Sequence, residues 1–442
     1  MPSCCRPHQV SASTVTATRS RSTASRSDEN HIDLNLTLED EVRERNTEMV
    51  KQKIAVIGAG VIGLSIARSL ALAGVEVTIF ERERIGAGTS TKTFAWVNSN
   101  GKNPESYHAL NLDGLHRHIR LQAAGPSEGQ WFRQTGTYEW AVKEQAKERL
   151  ETRVSGLKDR DYAVTQVSAD EITARIPELL IDPRSGNIWY FPEEGYVEMA
   201  PFLARLWDEA RRNGVQLRTP VEVVDVEEGA DAVSLRLNDG STWSGDQVVF
   251  AAGRWSSSLL GMLGQTFAMI DADAPNKIAC GFLGYTNPQL VQLASNIITP
   301  DMNIRPDGGG RLLLQTPDLD HRADPAYQAD TTGLIAQEML RRLSRVFRNV
   351  EGAQVEKLKI GQRARPADGK PAIGFVDGFE RCYVAAMHSG VTLSLTVGAL
   401  VSEELVKGRR DDLLTDFAPT RLLNKSVEDF PVFSTIHFPA AQ

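Results

Sequence analysis

A glycine-rich turn between two short apolar segments constrains the fold of this chain more than any other feature. Residues 54–57 (IAVI) have the length of a buried parallel strand, and the sequence GAGVIG, residues 58–63, follows them directly. Apolar residues then recur at helical spacing as far as Gly74, and residues 75–80 predict a second strand. The order strand, helix, strand predicts a βαβ unit, whose right-handed crossover makes the two strands parallel.

The spacing of the three glycines predicts a nucleotide site. Gly58 permits the tight turn, Gly60 lets a pyrophosphate approach the backbone, and Gly63 lets helix and strand pack closely. Phosphates then lie at the helix N-terminus, where unpaired N–H groups and the helix dipole favour negative charge. Glu81, at the end of the second strand, can accept hydrogen bonds from both hydroxyls of an adenosine ribose, and its charge disfavours a 2′-phosphate. The pattern predicts a dinucleotide site with these candidate contacts: Gly58, Gly60, Val61, Ile62, Gly63, Glu81 and Arg82.

Composition excludes several other classes of protein. With 442 residues, of which 41% are hydrophobic and 24% charged, the chain has the profile of a globular protein of two or three folding units. The formal charge of −8 gives no global reason to bind nucleic acid. The four cysteines form no disulfide framework and the eight histidines do not cluster, so no metal site is predicted. No apolar run reaches the ~18 residues that span a bilayer. Cysteine usage fits a reducing cytoplasm.

The order of patterned segments predicts the domain organisation. Residues 1–50 are rich in Ser, Thr and Arg, and we interpret them as a disordered leader, with an organellar transit peptide as the alternative. Buried strands and helices of one nucleotide-binding domain are predicted in residues 51–108, 193–262 and 357–420. The remaining segments predict an inserted substrate domain, residues 109–192 and 263–356, and a C-terminal tail, residues 421–442. The expected fold class is α/β, with a Rossmann-like domain that contains an α+β insertion.

A glycine- and hydroxyl-rich loop, residues 86–91, follows the second strand, where a simple NAD dehydrogenase would continue with further βα units. With this loop the chain resembles the FAD-dependent D-amino acid oxidase superfamily, which includes glycine oxidase, sarcosine oxidase and D-amino acid dehydrogenase-like flavoproteins. The segments that carry the resemblance are GAGVIG with Glu81, TSTKTFAWVNSNGKNPESYHALN from Thr89, VVFAAGRWS from Val248, GQRARPADGKPAIG from Gly361 and YVAAMHSGVTLS from Tyr383. In this order they are highly specific, and they extend over almost all of the ordered sequence.

The resemblance implies an FAD-binding domain with an inserted substrate domain, an architecture similar to that of glutathione reductase and p-hydroxybenzoate hydroxylase. It also implies cofactor contacts at the phosphates or isoalloxazine, at the adenine, at the pyrophosphate and over the pyrimidine end of the flavin. In that order the matching residues are Ser90 and Thr91; Val223; Ala252, Gly253 and Trp255; and His388, Ser389, Gly390, Val391 and Thr392. Sarcosine oxidase-like relatives attach the flavin through a cysteine in the segment that matches residues 356–375. This chain has no cysteine there, so we expect non-covalent FAD.

Arg363 and His388 are the candidate catalytic residues. In glycine oxidase-like members the arginine of a G-x-R-P segment binds the substrate carboxylate, and Gly361-Gln362-Arg363 resembles that segment. A guanidinium offers two parallel donors to a planar carboxylate. Ala364 stands where proline is usual and a second arginine, Arg365, follows, so the anchor is open between the two arginines, with a purely structural ion pair as the further alternative.

The resemblance implies oxidation of a small amine or amino acid by hydride transfer to FAD, which gives an imine that water hydrolyses. Dioxygen or another acceptor then reoxidises the flavin. Three alternatives remain at this point: a quinone- or carrier-linked amino acid dehydrogenase, a flavin-binding protein without turnover, and an NAD-binding dehydrogenase. The sequence leaves the acceptor and the oligomeric state open.

Overall fold

The computed structural model describes residues 51–125, 129–275, 279–326 and 329–431. The predicted leader, residues 1–50, lies outside the described residues, as does the end of the predicted tail, residues 432–442. The described residues form one compact unit.

Helices and strands alternate through the first part of this unit, and strands dominate its middle. The α-helices are α1 (Val61–Leu72), α2 (Glu105–Ala124), α3 (Glu144–Lys158), α4 (Ala169–Arg175), α5 (Met199–Arg212), α6 (Ser256–Met262), α7 (Leu334–Val346) and α8 (Gly390–Lys407). The strands are β1 (Lys53–Ile57), β2 (Glu76–Phe80), β3 (Trp96–Val97), β4 (Phe132–Arg133), β5 (Thr137–Glu139), β6 (Thr165–Val167), β7 (Ile188–Phe191), β8 (Gly195–Val197), β9 (Gln216–Arg218), β10 (Val223–Glu228), β11 (Val233–Leu237), β12 (Thr242–Gly245), β13 (Gln247–Phe250), β14 (Cys280–Thr286), β15 (Asn296–Ile298), β16 (Asn303–Pro306), β17 (Leu312–Gln315), β18 (Val355–Gln362), β19 (Ala372–Phe375) and β20 (Cys382–Ala386).

A six-stranded sheet carries the glycine-rich turn. Its strand order is β19-β20-β13-β1-β2-β9, and only the β19–β20 pair is antiparallel. The predicted βαβ unit is confirmed, because β1 pairs in parallel with β2, with Ile54 opposite Val77 and Ile57 opposite Phe80. The helix α8 follows β20, and its C-cap is Gly408, whose φ of 64° is the left-handed conformation that glycine adopts easily.

Apolar side chains cover both faces of this sheet. On one face Ile54 and Val56 belong to a core that includes α1, α5 and α8. On the other face Ala55 and Ile57 belong to a second core with the antiparallel sheet β10-β11-β12. Successive residues of a strand point to opposite faces, so a strand that is buried on both sides needs an unbroken apolar run. This requirement explains why β1 could be recognised in the sequence.

An eight-stranded sheet forms the second large layer. Its order is β18-β14-β17-β16-β15-β5-β7-β6, and the pairs are antiparallel except for β15 with β5. Apolar residues of this sheet pack with α4 and α7 in a third core. A hairpin turn with three glycines, residues 308–310, joins β16 to β17, and all three glycines have positive φ. The predicted α/β fold class, with a parallel sheet and a mostly antiparallel insertion, is confirmed.

At three places an element of the structure lies across a predicted domain boundary. The boundary between residues 108 and 109 falls inside α2, which is continuous from Glu105 and packs against α8. The boundary at residue 357 falls inside β18, which pairs with β14 over residues 355–362 and so belongs to the eight-stranded sheet. Leu422 and Leu423 were assigned to the tail but are buried, because this segment bridges to Phe267. The sequence pattern is local and does not reveal which sheet a strand joins.

Candidate active site

A cavity of about 420 Å³ opens at the carboxyl ends of β1, β2 and β13; we call it the wide cavity. Ligands of open α/β sheets bind at this edge, outside the carboxyl ends of the parallel strands. Most of the residues predicted to bind a cofactor line it, although they come from six separate stretches of the chain. They are Gly58, Gly60, Val61, Ile62, Glu81, Arg82, Ser90, Val223, Ala252, Gly253, Trp255, His388, Gly390 and Val391.

The glycine turn brings β1, β2 and β13 into close backbone contact. Gly58 has a φ of 107° and its N–H donates to the carbonyl of Phe80 at 2.8 Å. A Cβ at Gly58 would lie 2.7 Å from the carbonyl oxygen of Ala251. Gly63 does not line the wide cavity, and a Cβ on it would collide with the carbonyl oxygen of Gly58. Its role in the structure is the close packing of α1 on β1.

Two side chains fix the polar groups around this turn. The carboxylate of Glu81 accepts from the N–H of Ala59 at 2.9 Å and from the N–H of Glu83 at 2.8 Å. Each carboxylate oxygen can accept a further hydrogen bond, as a ribose hydroxyl would require. Ser90 Oγ accepts from the N–H of Val61 at 3.0 Å, so this hydroxyl lies at the N-terminus of α1. Thr91 is turned away instead and donates to the carbonyl of Gly86 at 2.9 Å; it lines neither cavity.

Trp255 lies between two guanidinium groups at the wall of the wide cavity. The guanidinium carbons of Arg82 and Arg254 are 4.0 and 3.9 Å from the centroid of the indole. All three residues line the cavity. Two cations held at an aromatic face make this wall favourable for an anionic group such as a pyrophosphate. Arg254 was not predicted from the sequence, although it stands between Gly253 and Trp255.

A second, smaller cavity of about 130 Å³, the small cavity, adjoins the wide one. The two share Thr89, Thr93, His388 and Val391 as lining residues. Lys92, Lys102 and Arg363 line the small cavity, and no Asp or Glu is among its described lining residues. Of the residues predicted to cover the flavin, Ser389 and Thr392 also lie here. A cationic cavity therefore adjoins residues 388–392, the segment that was predicted to cover the flavin ring.

Arg363 is held by a buried carboxylate behind the cavity wall. Its Nη2 donates to Oδ2 of Asp320 at 2.8 Å, and its Nη1 donates to the carbonyl of Cys280 at 2.8 Å. The side chain of Asp320 is 3% exposed, and burial raises its pKa. Gly281 makes room for the pair, because a Cβ there would collide with both partners. Of the two arginines that the sequence left open, Arg363 lines the small cavity, whereas Arg365 is buried and lines neither cavity.

Comparison with known proteins identifies the family. A family model described as FAD dependent oxidoreductase matches residues 53–404. The chain belongs to this family. Among curated proteins it is similar to an opine oxidase subunit of Agrobacterium tumefaciens (strain Ach5), with 24% identity over 84% of this chain and 98% of that protein. It is also similar to glycine oxidase of Geobacillus kaustophilus (strain HTA426), with 24% identity over 84% of this chain and 97% of that protein.

Solved structures of flavoproteins have the same fold as this FAD-dependent oxidoreductase. The crystal structure of glycine oxidase from Geobacillus kaustophilus has a TM-score of 0.72 at 22% identity and covers 84% of this chain and 99% of its own. That of L-proline dehydrogenase from P. horikoshii has a TM-score of 0.73 at 20% identity and covers 84% of this chain and 97% of its own. The predicted superfamily and the predicted FAD cofactor are confirmed, and the class of FAD-dependent oxidoreductases acting on amines or amino acids is confirmed at the level of the family.

The wide cavity fits FAD in the chemistry of its walls. The N-termini of α1, at Val61, and of α8, at Gly390, both line it, and helix N-termini favour phosphates and anionic rings. Gly88 and Trp255 both line the wide cavity, and a Cβ at Gly88 would lie 3.3 Å from the ring of Trp255. Glycine therefore avoids a tight contact at this wall. The volume of the wide cavity, about 420 Å³, lies within the ~300–1,000 Å³ typical of ligand sites. Non-covalent binding agrees with the free cysteines of the described residues, Cys280 and Cys382, which are buried and line neither cavity.

Two polar residues of the small cavity were missed from the sequence. Lys102 is 5% exposed, and Asn98 is likewise 5% exposed, with an Oδ1 that accepts no hydrogen bond from the described residues. Both lie in the segment from Thr89 that carried the resemblance, in the loop after β3. In the sequence, the only signal of these two residues is a cluster of amides and one lysine after a strand. Such a cluster does not predict a binding site unless the position of the loop in the fold is known.

Two further properties concern metal binding and membrane insertion. Within the ranges that the structure describes, no group of three or more His, Cys, Asp or Glu side chains is placed to hold a metal ion. In the same ranges no helix combines the length and the apolar character needed to cross a bilayer.

The buried His118 forms a hydrogen bond with the first turn of α8. Nε2 of His118 lies 2.9 Å from the carbonyl oxygen of Val391, and its ring packs among Trp131, Phe132 and Phe202. Burial lowers the pKa of His118 to about 4, so the ring is neutral at pH 7. As a neutral ring, it donates the Nε2 proton to Val391.

We expect acid to destabilise this enzyme through His118. The unfolded chain takes up the proton near pH 6.5, whereas the folded chain resists protonation down to about pH 4. Stability is therefore fully present above pH 6.5 and is lost as the pH falls toward 4, by on the order of 3 kcal/mol. Urea unfolding of the wild type and of His118→Gln at several pH values tests this, because glutamine can donate to Val391 but does not titrate. Equal pH slopes for the two proteins would contradict the assignment.

Proposed function

We propose that this FAD-dependent oxidoreductase oxidises a small amine or amino acid that carries a carboxylate. One observation carries the proposal: a cationic small cavity, free of acidic residues among its described lining, adjoins the wide cavity at Thr89, Thr93, His388 and Val391. A substrate that reaches from one cavity into the other presents its carboxylate to cations and its amine to the flavin. The names of the similar proteins, an opine oxidase subunit and glycine oxidase, agree with this substrate class.

In this proposal the residues of the chain bind and orient the substrate. Bound FAD supplies the hydride acceptor, and the product is an imine that water hydrolyses. Arg363, aligned by Asp320 and by the carbonyl of Cys280, donates to the substrate carboxylate. Phe94 and Leu283 make part of the small cavity apolar, which limits water beside the reacting carbon. Positioning of this kind contributes to the rate without a strong protein base.

The cofactor contacts are proposed on the same basis. Ser90 and the N-terminus of α1 contact the phosphates, Glu81 the ribose, and Arg82, Ala252, Gly253 and Trp255 the pyrophosphate region. Val223 contacts the adenine. His388 and the first residues of α8 would cover the pyrimidine end of the ring, where the N–H groups of the helix N-terminus would favour a negative charge. Thr91, which donates to Gly86, acts by holding the loop rather than by contact with FAD.

We further propose dioxygen as the electron acceptor and the cytoplasm as the location. The names of two similar proteins are those of oxidases, which supports dioxygen. The name of a structural neighbour, L-proline dehydrogenase, favours a quinone or carrier protein as the second candidate. Two buried free cysteines among the described residues agree with a reducing compartment.

The test is an anaerobic visible spectrum of the purified holoenzyme before and after addition of glycine, L- and D-amino acids, N-methyl amino acids and simple amines. We expect one class of amine that bears a carboxylate to bleach the oxidised flavin bands, and air to restore them with release of peroxide. Bleaching that only an artificial quinone reverses would favour the dehydrogenase. Flavin bands that persist with every amine would overturn the proposed activity.

A further inference from the structure

The small cavity contains two cations that the proposed function does not use, the buried Lys102 and the partly exposed Lys92. Lys102 lies in the loop after β3, whereas Arg363 follows β18, so two distant segments bring a positive charge to the wall of one cavity of about 130 Å³. Arg363 has Asp320 behind it as a counter-charge. No Asp or Glu is among the described residues that line the cavity, so any negative charge inside it has to come from a ligand.

A lysine in this position is costly to the fold. Lys102 is 5% exposed, and burial, together with the charge of Arg365, lowers its pKa to about 8, while Glu194 opposes the shift. Glu194 is itself buried, accepts from Trp96 Nε1 at 2.8 Å and from the hydroxyl of Tyr162 at 2.9 Å, and has a pKa that burial raises to about 8. Each carboxylate oxygen of Glu194 therefore already accepts from a donor other than Lys102. An anion in the cavity would stabilise the charged lysine, because opposite charges attract strongly where water is excluded.

The small cavity thus presents three cations, Arg363, Lys102 and Lys92, to the acidic groups of a ligand. Of the two lysines, Lys102 is the buried one, so it gains more from an anionic partner.

We propose that Lys102 binds a second anionic group of the substrate, so that the oxidised amine carries two carboxylates, one toward Arg363 and one toward Lys102. This inference rests on the proposed function and narrows it to a substrate class. The second carboxylate has two chemical sources: the side chain of an acidic amino acid, or a carboxyalkyl group on the amine nitrogen. Both present the same pair of charges to the cavity.

Binding of carboxylates that cannot be oxidised tests the inference without turnover. Propionate is compared with malonate, succinate and glutarate on the wild-type holoenzyme, by calorimetry and by the perturbation of the flavin spectrum. We expect the best dicarboxylate to bind roughly ten-fold or more tightly than propionate, the effect of one charge-assisted hydrogen bond. Equal affinities for propionate and all three dicarboxylates would overturn the inference.

Two variants separate binding by Lys102 from a structural role. We expect Lys102→Met to abolish the preference for the dicarboxylate and to change the affinity for propionate by no more than about three-fold. Lys407→Met, at an exposed lysine at the end of α8, is the matched control and should keep the preference. A preference that survives in Lys102→Met would overturn the inference. Should that variant fail to fold, the wild-type comparison decides alone.

Amine substrates then identify the source of the second carboxylate. Aspartate, glutamate and iminodiacetate are compared with glycine, alanine and sarcosine for anaerobic reduction of the flavin. Faster reduction by the amino acids with acidic side chains, or by iminodiacetate, supports the inference and names the source. Reduction without preference for a second carboxylate overturns the inference and leaves the proposed function standing. If no amine reduces the flavin, the proposed function fails, and the dicarboxylate titrations still decide the role of Lys102.

Discussion

Gly63→Ala is expected to yield little or no folded protein with bound FAD. A Cβ at this position would collide with the carbonyl oxygen of Gly58, and neighbouring elements hold the backbone of both residues in place. No side-chain rotation can relieve the collision, so α1 would have to move away from β1. We expect a loss of stability on the order of 4 kcal/mol or more, a range reached only when packing or backbone geometry fails. The measurements are soluble yield, the ratio of flavin to protein absorbance, and urea unfolding.

A glycine elsewhere in the chain provides the matched control. Gly156 lies within α3, and a Cβ there would have no neighbouring atom within 4 Å. Gly156→Ala should therefore keep full flavin content and gain about 0.5–1 kcal/mol, because alanine favours the helix over glycine. If Gly63→Ala also retained normal flavin content and stability, the close packing of α1 on β1 would not be essential for the dinucleotide site.

The second large effect is expected at Arg363. Arg363→Met removes the donor for the substrate carboxylate, and we expect KM to rise by roughly 100-fold or more. It also leaves Asp320 buried without its partner, which costs about 3–5 kcal/mol of stability. Flavin content should remain normal, since Arg363 lines the small cavity and not the wide one. Steady-state kinetics and urea unfolding measure the two effects separately.

The double variant Arg363→Met with Asp320→Asn separates the loss of substrate affinity from the loss of stability. In the wild type, Oδ1 of Asp320 accepts a hydrogen bond from the N–H of Phe282 at 3.0 Å. An asparagine at position 320 carries no charge, and its Oδ1 can still accept this hydrogen bond. We therefore expect the double variant to recover most of the lost stability but none of the lost substrate affinity. An unchanged KM in either variant would show that Arg363 serves only as a structural ion pair.

The dinucleotide site could be predicted from the sequence because its determinants are local. The turn from Gly58 to Gly63 and the acid Glu81 lie within one βαβ unit, where spacing alone fixes geometry. The start of α8 could be recognised for a similar reason, since a buried strand, a polar turn and a helix follow each other directly. These signals do not depend on how distant segments pair.

The small cavity could be predicted only in part, because its walls come from segments far apart in the sequence. Arg363 was found through a family resemblance, but its pairing with Asp320 depends on β18 lying beside β14. The burial of Lys102 likewise depends on where a loop folds, which no periodicity encodes. The same limit explains why the predicted boundary at residue 357 falls inside β18.

The division of the site between two sheets has a consequence for how this enzyme can change. The cofactor is held at the edge of the six-stranded sheet, whereas Leu283, Gln315 and Gly361 of the small cavity belong to strands of the eight-stranded sheet. Substitutions at Leu283 and Gln315 alter the shape of the small cavity without displacing any residue of the glycine turn. A mutant library confined to these two positions can therefore be selected for new amines. Each correctly folded member should still bind its flavin, which makes yellow colour a simple screen for correctly folded variants.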